Sequence, residues 1–103
     1  MITLDGFKAW LATKDPNELV RYSSNTNCVV AQYYKQALGK PNVWVGIDTA
    51  YPNGLSGASE SIPEEIAEAL YYMMGDEVTF GYVQNEFGIS AADALLARHT
   101  EVH

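Results

Sequence analysis

The sequence predicts an α+β fold, with one mostly helical domain over residues 1–103 and a small two-stranded β element. Three observations support this prediction. A length of 103 residues is typical of one domain. Several segments combine an N-cap residue with apolar residues at helical spacing, which predicts about four to five helices. Two short segments have the composition of strands instead.

The first helix is predicted over residues 4–13, with Thr3 as its N-cap. Phe7, Trp10 and Leu11 follow at positions i, i+3 and i+4. Because this spacing places them on one face, we expect them to form an apolar stripe against the core.

Two strands and a second helix are predicted next. Residues 19–22 and 42–47 have the composition of strands. Residues 26–38 between them are predicted to be helical, since a polar N-cap cluster precedes them. Gly39 and Pro41 form a typical stop pair at the end of that helix.

A third helix is predicted from the spacing of Ser61 and Glu64, which is that of a capping box. We expect it to run to about Met74 and to end at Gly75. Its predicted core side consists of Ile62, Ile66, Leu70 and Met73.

Residues 78–87 allow two interpretations. Their first half alternates like a strand, whereas Thr79 can equally cap a helix that ends at Gly88. We expect the helix, followed by a last helix from Ser90. Residues 80–98 therefore resemble half of a helix-turn-helix motif, but a DNA-reading helix needs more cations than this one has.

Charge is divided unevenly along the chain. The formal net charge is −7, and residues 41–97 contain no Lys or Arg. An acidic chain does not neutralise phosphates, so we expect no direct binding to nucleic acid. The acidic stretch serves either solubility or attraction to a protein partner with a basic surface. The predicted binding residues are Glu60, Glu64, Glu65, Glu68, Asp76, Glu77, Tyr71 and Tyr72.

Adjacent tyrosines supply the second part of this prediction. Tyr33–Tyr34 and Tyr71–Tyr72 are neighbours on predicted helices. Neighbours on a helix point about 100° apart, so we expect that the two members of a pair are not equally buried. Exposed tyrosines provide contact area at protein interfaces.

Cys28 is the one candidate nucleophile, because a thiol at a helix N-terminus has a lowered pKa. Residues 27–39 resemble the nucleophile helix of papain-like cell-wall peptidases, in which Cys precedes an aromatic and basic helix that ends in Gly. The chain departs from that pattern at Val29 and Val30, where Ser and Gly are expected. It also lacks the downstream core histidine, since its only histidines are His99 and His103.

We therefore expect Cys28 to pack as a small apolar side chain with Ala31, Tyr34 and Leu38. A cysteine hydrolase remains the alternative. No metal site and no cofactor are predicted, because the clustered carboxylates have no imidazole beside them. No apolar run is long enough to cross a membrane, and the N-terminus lacks the features of a signal peptide, so we expect a cytoplasmic protein.

The first 45 residues or so resemble a set of small bacterial and phage proteins of unassigned activity. The pattern is Phe7, Trp10-Leu11, Pro16, Val20 and Cys28-x-x-Ala31-x-Tyr33. Small size, acidity and the lack of a catalytic motif also resemble phage inhibitors of host defence, of the anti-CRISPR and anti-restriction type.

The first resemblance implies a fold and not an activity. The second, together with the acidic stretch and the exposed tyrosines, leads us to expect a non-enzymatic protein that binds another protein. The specific expectation is a phage or mobile-element inhibitor of a nucleic-acid-handling machine in the host cytoplasm. A structural subunit, such as a homodimer, is the other alternative.

Overall fold

The computed structural model describes residues 2–21, 25–71 and 77–90. Within these ranges the chain forms four α-helices and five short strands, which confirms the α+β class. The helices are α1 (Leu4–Ala12), α2 (Val29–Gln36), α3 (Glu64–Tyr71) and α4 (Phe80–Glu86). The strands are β1 (Leu19–Arg21), β2 (Trp44–Val45), β3 (Thr49–Tyr51), β4 (Glu60–Ser61) and β5 (Glu77–Thr79). The helix predicted to follow Ser90 lies outside the described residues.

The strands form two antiparallel sheets. Strand β1 pairs with β5, and β2, β3 and β4 form a separate three-stranded sheet in that order. The two segments predicted as strands therefore do not pair with each other: residues 19–21 pair with β5, and residues 44–45 pair with β3 in the other sheet. Strands β3 and β4 were missed because they flank a segment with the turn residues Pro52, Asn53 and Gly54, whose composition is that of a loop.

Helix α1 is confirmed in its cap and in its buried side. The hydroxyl of Thr3 accepts a hydrogen bond from the Gly6 amide at 3.1 Å. At the other end, the buried side chain of Gln84 donates to the carbonyls of Leu11 and Lys14, both at 2.9 Å. Leu11 lies in the last turn of α1 and Lys14 follows its C-cap directly, so Gln84 ties α4 to the end of α1.

Helix α2 starts at Val29, three residues later than predicted, with Cys28 at its N-cap. The cause is Asn25, whose carbonyl accepts from the Val45 amide at 2.8 Å and whose side chain donates to the Val45 carbonyl at 2.6 Å. These bonds hold the preceding segment against β2 instead of in the helix. The predicted stop is confirmed, since Gly39 has φ 65°.

The capping box predicted at Ser61 is wrong. Ser61 lies in β4, opposite Thr49 in β3. The carbonyl of Pro63 accepts instead from the amides of Ile66 and Ala67, both at 3.0 Å, so the helix begins at Glu64. Ile62 and Ile66 are buried as predicted. The predicted end at Met74 and Gly75 lies outside the described residues.

Residues 78–87 combine the strand and the helix that the two interpretations predicted. The segment begins as strand β5 and continues directly as α4. The hydroxyl of Thr79 accepts from the Tyr82 amide at 3.1 Å, and Gly88 has φ 73° just after the helix. The expected helix is therefore confirmed from Phe80 onward.

An aromatic cluster holds α1, α2 and α4 together. The ring of Phe7, which is fully buried, lies 5.6 Å from that of Tyr33 and 5.3 Å from that of Phe87, both edge to face. The ring of Trp10 lies 5.4 Å from that of Tyr33. Such geometry adds to the stabilisation that burial alone provides.

Tyr33 and Tyr34 are both buried, with exposed fractions of 5% and 1%. The expectation of unequal burial is therefore wrong for this pair. Helix α2 is covered on two sides, because Tyr33 faces the aromatic cluster while Tyr34 reaches Glu60 in β4. Two directions about 100° apart can both be buried when a helix lies between two layers.

Candidate functional site

Helix α3 presents a group of exposed carboxylates. Glu64, Glu65 and Glu68 are all exposed, and their positions fall within an arc of about 100° around the helix. Ile66 occupies the opposite, buried side. Among the described residues, no cation forms an ion pair with any of the three. We call these three residues the α3 acidic face.

Glu60 does not belong to that face. It lies in β4 directly opposite Ala50, which in turn lies opposite Val45 in β2. Paired residues of an antiparallel sheet share one side, so Glu60 points to the buried side that Ala50 and Val45 occupy. Its carboxylate accepts a hydrogen bond from the hydroxyl of Tyr34.

The remaining predicted binding residues are Glu77, Tyr71, Tyr72 and Asp76. Glu77 is exposed in β5, opposite Arg21 in the ladder. Helix α3 reaches Tyr71. The side chain of Tyr71, and Tyr72 and Asp76 as a whole, lie outside the described residues.

Cys28 lies at the N-cap of α2 but is only 6% exposed. Burial raises the pKa of its thiol above the ordinary value, and this effect exceeds the opposing ones of the Ala31 and Val30 amides. The thiol is therefore protonated at neutral pH, as in an inert structural cysteine. Cys28 belongs to the same apolar core as Ala31 and Tyr34, and Leu38 packs against that core, so the expected burial of Cys28 as a small apolar side chain is confirmed.

A cleft of about 350 Å³ lies between the C-terminal end of α2 and the loop that precedes β4. Tyr34, Lys40 and Glu60 contribute its polar wall, and Leu38 and Pro52 contribute apolar surface. Desolvation and the Glu60 carboxylate both raise the pKa of Tyr34, so its hydroxyl stays protonated and donates to Glu60.

Sequence reasoning missed Tyr34 and Lys40 as site residues. The position of Lys40 follows from the helix stop, because its amide donates to the Tyr34 carbonyl at 2.9 Å across Gly39. That stop was visible in the sequence. The approach of Glu60 to Tyr34 was not, since it depends on the pairing of β3 with β4.

The described residues also contain no metal-binding cluster and no membrane-spanning helix. In residues 2–21, 25–71 and 77–90, no three His, Cys, Asp or Glu side chains are grouped so that they could hold a metal ion. None of the helices in these ranges is long and apolar enough to cross a membrane.

Comparison of the chain with protein-family models, with curated proteins and with solved structures finds no significant match.

Proposed function

We propose that the chain is a non-enzymatic protein that binds a basic surface of another protein through the α3 acidic face. The observation that carries the proposal is the set of three exposed carboxylates on one side of α3, with no cation paired to them among the described residues. Like charges grouped in this way attract a cationic surface and orient its approach.

Folding alone does not account for all three carboxylates. Glu64 and Glu65 lie in the first turn of α3, where the helix dipole favours negative charge. Glu68 lies beyond that turn and is four residues from Glu64. A like-charge pair at this spacing costs about 0.2–0.5 kcal/mol of helix stability. A basic partner would offset that cost.

The partner class follows from the chemistry of the face. A protein surface that attracts several carboxylates is one that also attracts phosphates, because both ligands are anionic oxygen donors. The partner is therefore a nucleic-acid-handling protein whose basic groove the α3 acidic face occupies. A phage or mobile-element inhibitor of a host enzyme, acting in the host cytoplasm, is the specific form of this proposal.

The environment of Cys28 supports the non-enzymatic part. A cysteine nucleophile needs an accessible thiolate, whereas the Cys28 thiol is buried and its pKa is raised. A hydrolase that used Cys28 would have to open the core to reach it.

The test compares two variants of equal net charge. In one, Glu64, Glu65 and Glu68 are replaced by Lys. In the control, the same replacement is made at three exposed carboxylates outside α3, Asp5, Glu18 and Glu86. The wild-type chain is immobilised and used to capture proteins from a bacterial lysate at low salt, and a captured protein is then purified for binding and inhibition assays.

We expect a captured nucleic-acid-binding enzyme that the wild-type chain inhibits, with binding that weakens as salt rises. The α3 variant should lose binding and inhibition, whereas the control variant should keep both. Equal losses in the two variants would show that net charge alone matters. Unchanged binding in the α3 variant would place the interface elsewhere.

A further inference from the structure

The cleft beside α2 contains two opposite charges that do not neutralise each other. Glu60 and Lys40 both line it, yet no ion pair joins them. Among the described residues, one carboxylate oxygen of Glu60 is bonded to Tyr34, and no donor is bonded to the other. Both charges are therefore available to a molecule in the cleft.

Both charged residues are held in place by the backbone around them. Glu60 is paired with Ala50 in the sheet, and its carboxylate is anchored by Tyr34. The Lys40 amide donates to the Tyr34 carbonyl, and the Lys40 carbonyl accepts from the Val43 amide at 3.3 Å. The Glu60 carboxylate is therefore already oriented before a ligand binds. Only the backbone of Lys40 is held, so ordering its side chain is part of the cost of binding.

We propose that this cleft binds a small amino carboxylate, with its ammonium group at Glu60 and its carboxylate at Lys40. The carbon chain between the two charged groups would lie against Leu38 and Pro52, which form the apolar part of the wall. The volume of about 350 Å³ is at the lower end of the range for small-molecule sites. This site is independent of the protein-binding function proposed for the α3 acidic face.

A zwitterion fits the cleft better than an ion of either sign. A simple cation would pair with Glu60 but would be brought close to the Lys40 ammonium. A simple anion would pair with Lys40 but would be brought close to the Glu60 carboxylate. Because the cleft offers one charge of each sign, only a ligand with both charges pairs each of them and repels neither.

The distance between the Glu60 carboxylate and the Lys40 ammonium determines which ligand length binds best. Amino carboxylates of increasing chain length therefore report that distance. The probes are glycine, β-alanine, γ-aminobutyrate and ε-aminocaproate. Butyrate and butylammonium are the singly charged controls. Binding is measured from the shifts of the backbone amide resonances of Tyr34, Lys40 and Glu60 during titration of the full chain.

The variants Glu60→Gln and Lys40→Gln each remove one charge from the cleft. In Glu60→Gln, the amide oxygen of Gln can still accept a hydrogen bond from the Tyr34 hydroxyl, so we expect the fold to be retained. Lys35→Gln and Glu86→Gln are the matched controls, because they remove the same charges at positions that do not line the cleft. The spectrum of each variant away from the cleft reports whether the fold is retained.

We expect one member of the series to bind best, at least about tenfold more tightly than either singly charged control. Each cleft variant should weaken that binding by at least about tenfold, whereas the two control variants should leave it unchanged. The proposal is overturned if a singly charged control binds as well, if Lys40→Gln has no effect, or if no probe binds at millimolar concentration. Should Glu60→Gln fail to fold, Lys40→Gln decides alone, since its side chain supports no hydrogen bond among the described residues.

Discussion

Tyr33 and Tyr34 are neighbours in α2, yet they extend into two different regions of the molecule. Tyr33 packs in the aromatic cluster of α1, α2 and α4, where rings meet edge to face. Tyr34 reaches the sheet, where its hydroxyl donates to the partly buried carboxylate of Glu60. The first region is held by apolar contact, whereas the second combines apolar contact with a charged hydrogen bond, since Tyr34 is also part of the core. We therefore expect larger losses of stability from changes in the aromatic cluster than from changes to the charged groups of the cleft and of α3.

The largest effect is expected at the centre of the aromatic cluster. Phe7→Ala removes a fully buried ring that contacts three other rings, and it should lower the free energy of unfolding by about 3–5 kcal/mol. Chemical denaturation measures this loss. Leu55→Ala is the control, because Leu55 is 61% exposed and its truncation should cost almost nothing. Equal effects at the two positions would contradict the placement of the core.

The next largest effect on stability is expected when the hydroxyl is removed from Tyr34, and the same change at Tyr33 serves as the comparison. Tyr34→Phe removes the donor to Glu60 and leaves a partly buried carboxylate without that bond, which should cost about 1–2 kcal/mol. Tyr33→Phe should cost much less, because the Tyr33 hydroxyl makes no hydrogen bond to a described residue. Denaturation of both variants checks the difference. A larger loss in Tyr33→Phe would reverse the assignment of the two regions.

Because of the environment of Tyr34, we also expect the chain to lose stability at high pH. The pKa of Tyr34 is raised in the folded chain by burial and by Glu60, so its stabilising effect is complete below the pKa of an unfolded tyrosine. It declines as the pH rises above about 10, where unfolded tyrosine ionises and the folded one does not. The free energy of unfolding should therefore fall in this range, and it should fall less in Tyr34→Phe. An equal decline in both proteins would show that Tyr34 is not responsible.

A smaller effect is expected at Cys28. Cys28→Ala should lower the free energy of unfolding by about 1 kcal/mol, since it removes one small buried group. Cys28→Ser should be the more stable of the two, because the N-cap of α2 has no side-chain hydrogen bond and serine can supply one. In the wild-type chain, a thiol reagent should react slowly at neutral pH and rapidly after denaturation. Fast labelling of the folded chain, together with biological activity that is abolished in Cys28→Ala, would favour the hydrolase interpretation instead.

Much of the helical part could be predicted from the sequence, because its signals are local. The Thr3 cap, the stripe of Phe7 and Leu11, and the stop at Gly39 depend only on neighbours in the chain. The sheet could not be predicted in the same way. Strands β3 and β4 are two or three residues long, and their pairing is determined by contacts between distant segments.

The candidate site shows the same division. The exposure of Glu64, Glu65 and Glu68 follows from helical spacing, and the structure places all three at the surface. Glu60 has the same chemistry but a different environment, because strand pairing turns it toward Tyr34. No feature of the local sequence separates Glu60 from the other acidic residues.

The most direct test of the binding role of the α3 acidic face uses the variant in which Glu64, Glu65 and Glu68 are replaced by Lys. Stability and association are measured together in this variant. Against a purified partner, association rates are recorded over a range of salt concentrations, and the free energy of unfolding is measured by denaturation. We predict that unfolding changes by less than about 1 kcal/mol, because these side chains are exposed. The association rate at low salt should fall by about tenfold or more, and its dependence on salt should largely disappear. An unchanged association rate, with an unchanged dependence on salt, would contradict a binding role for the α3 acidic face.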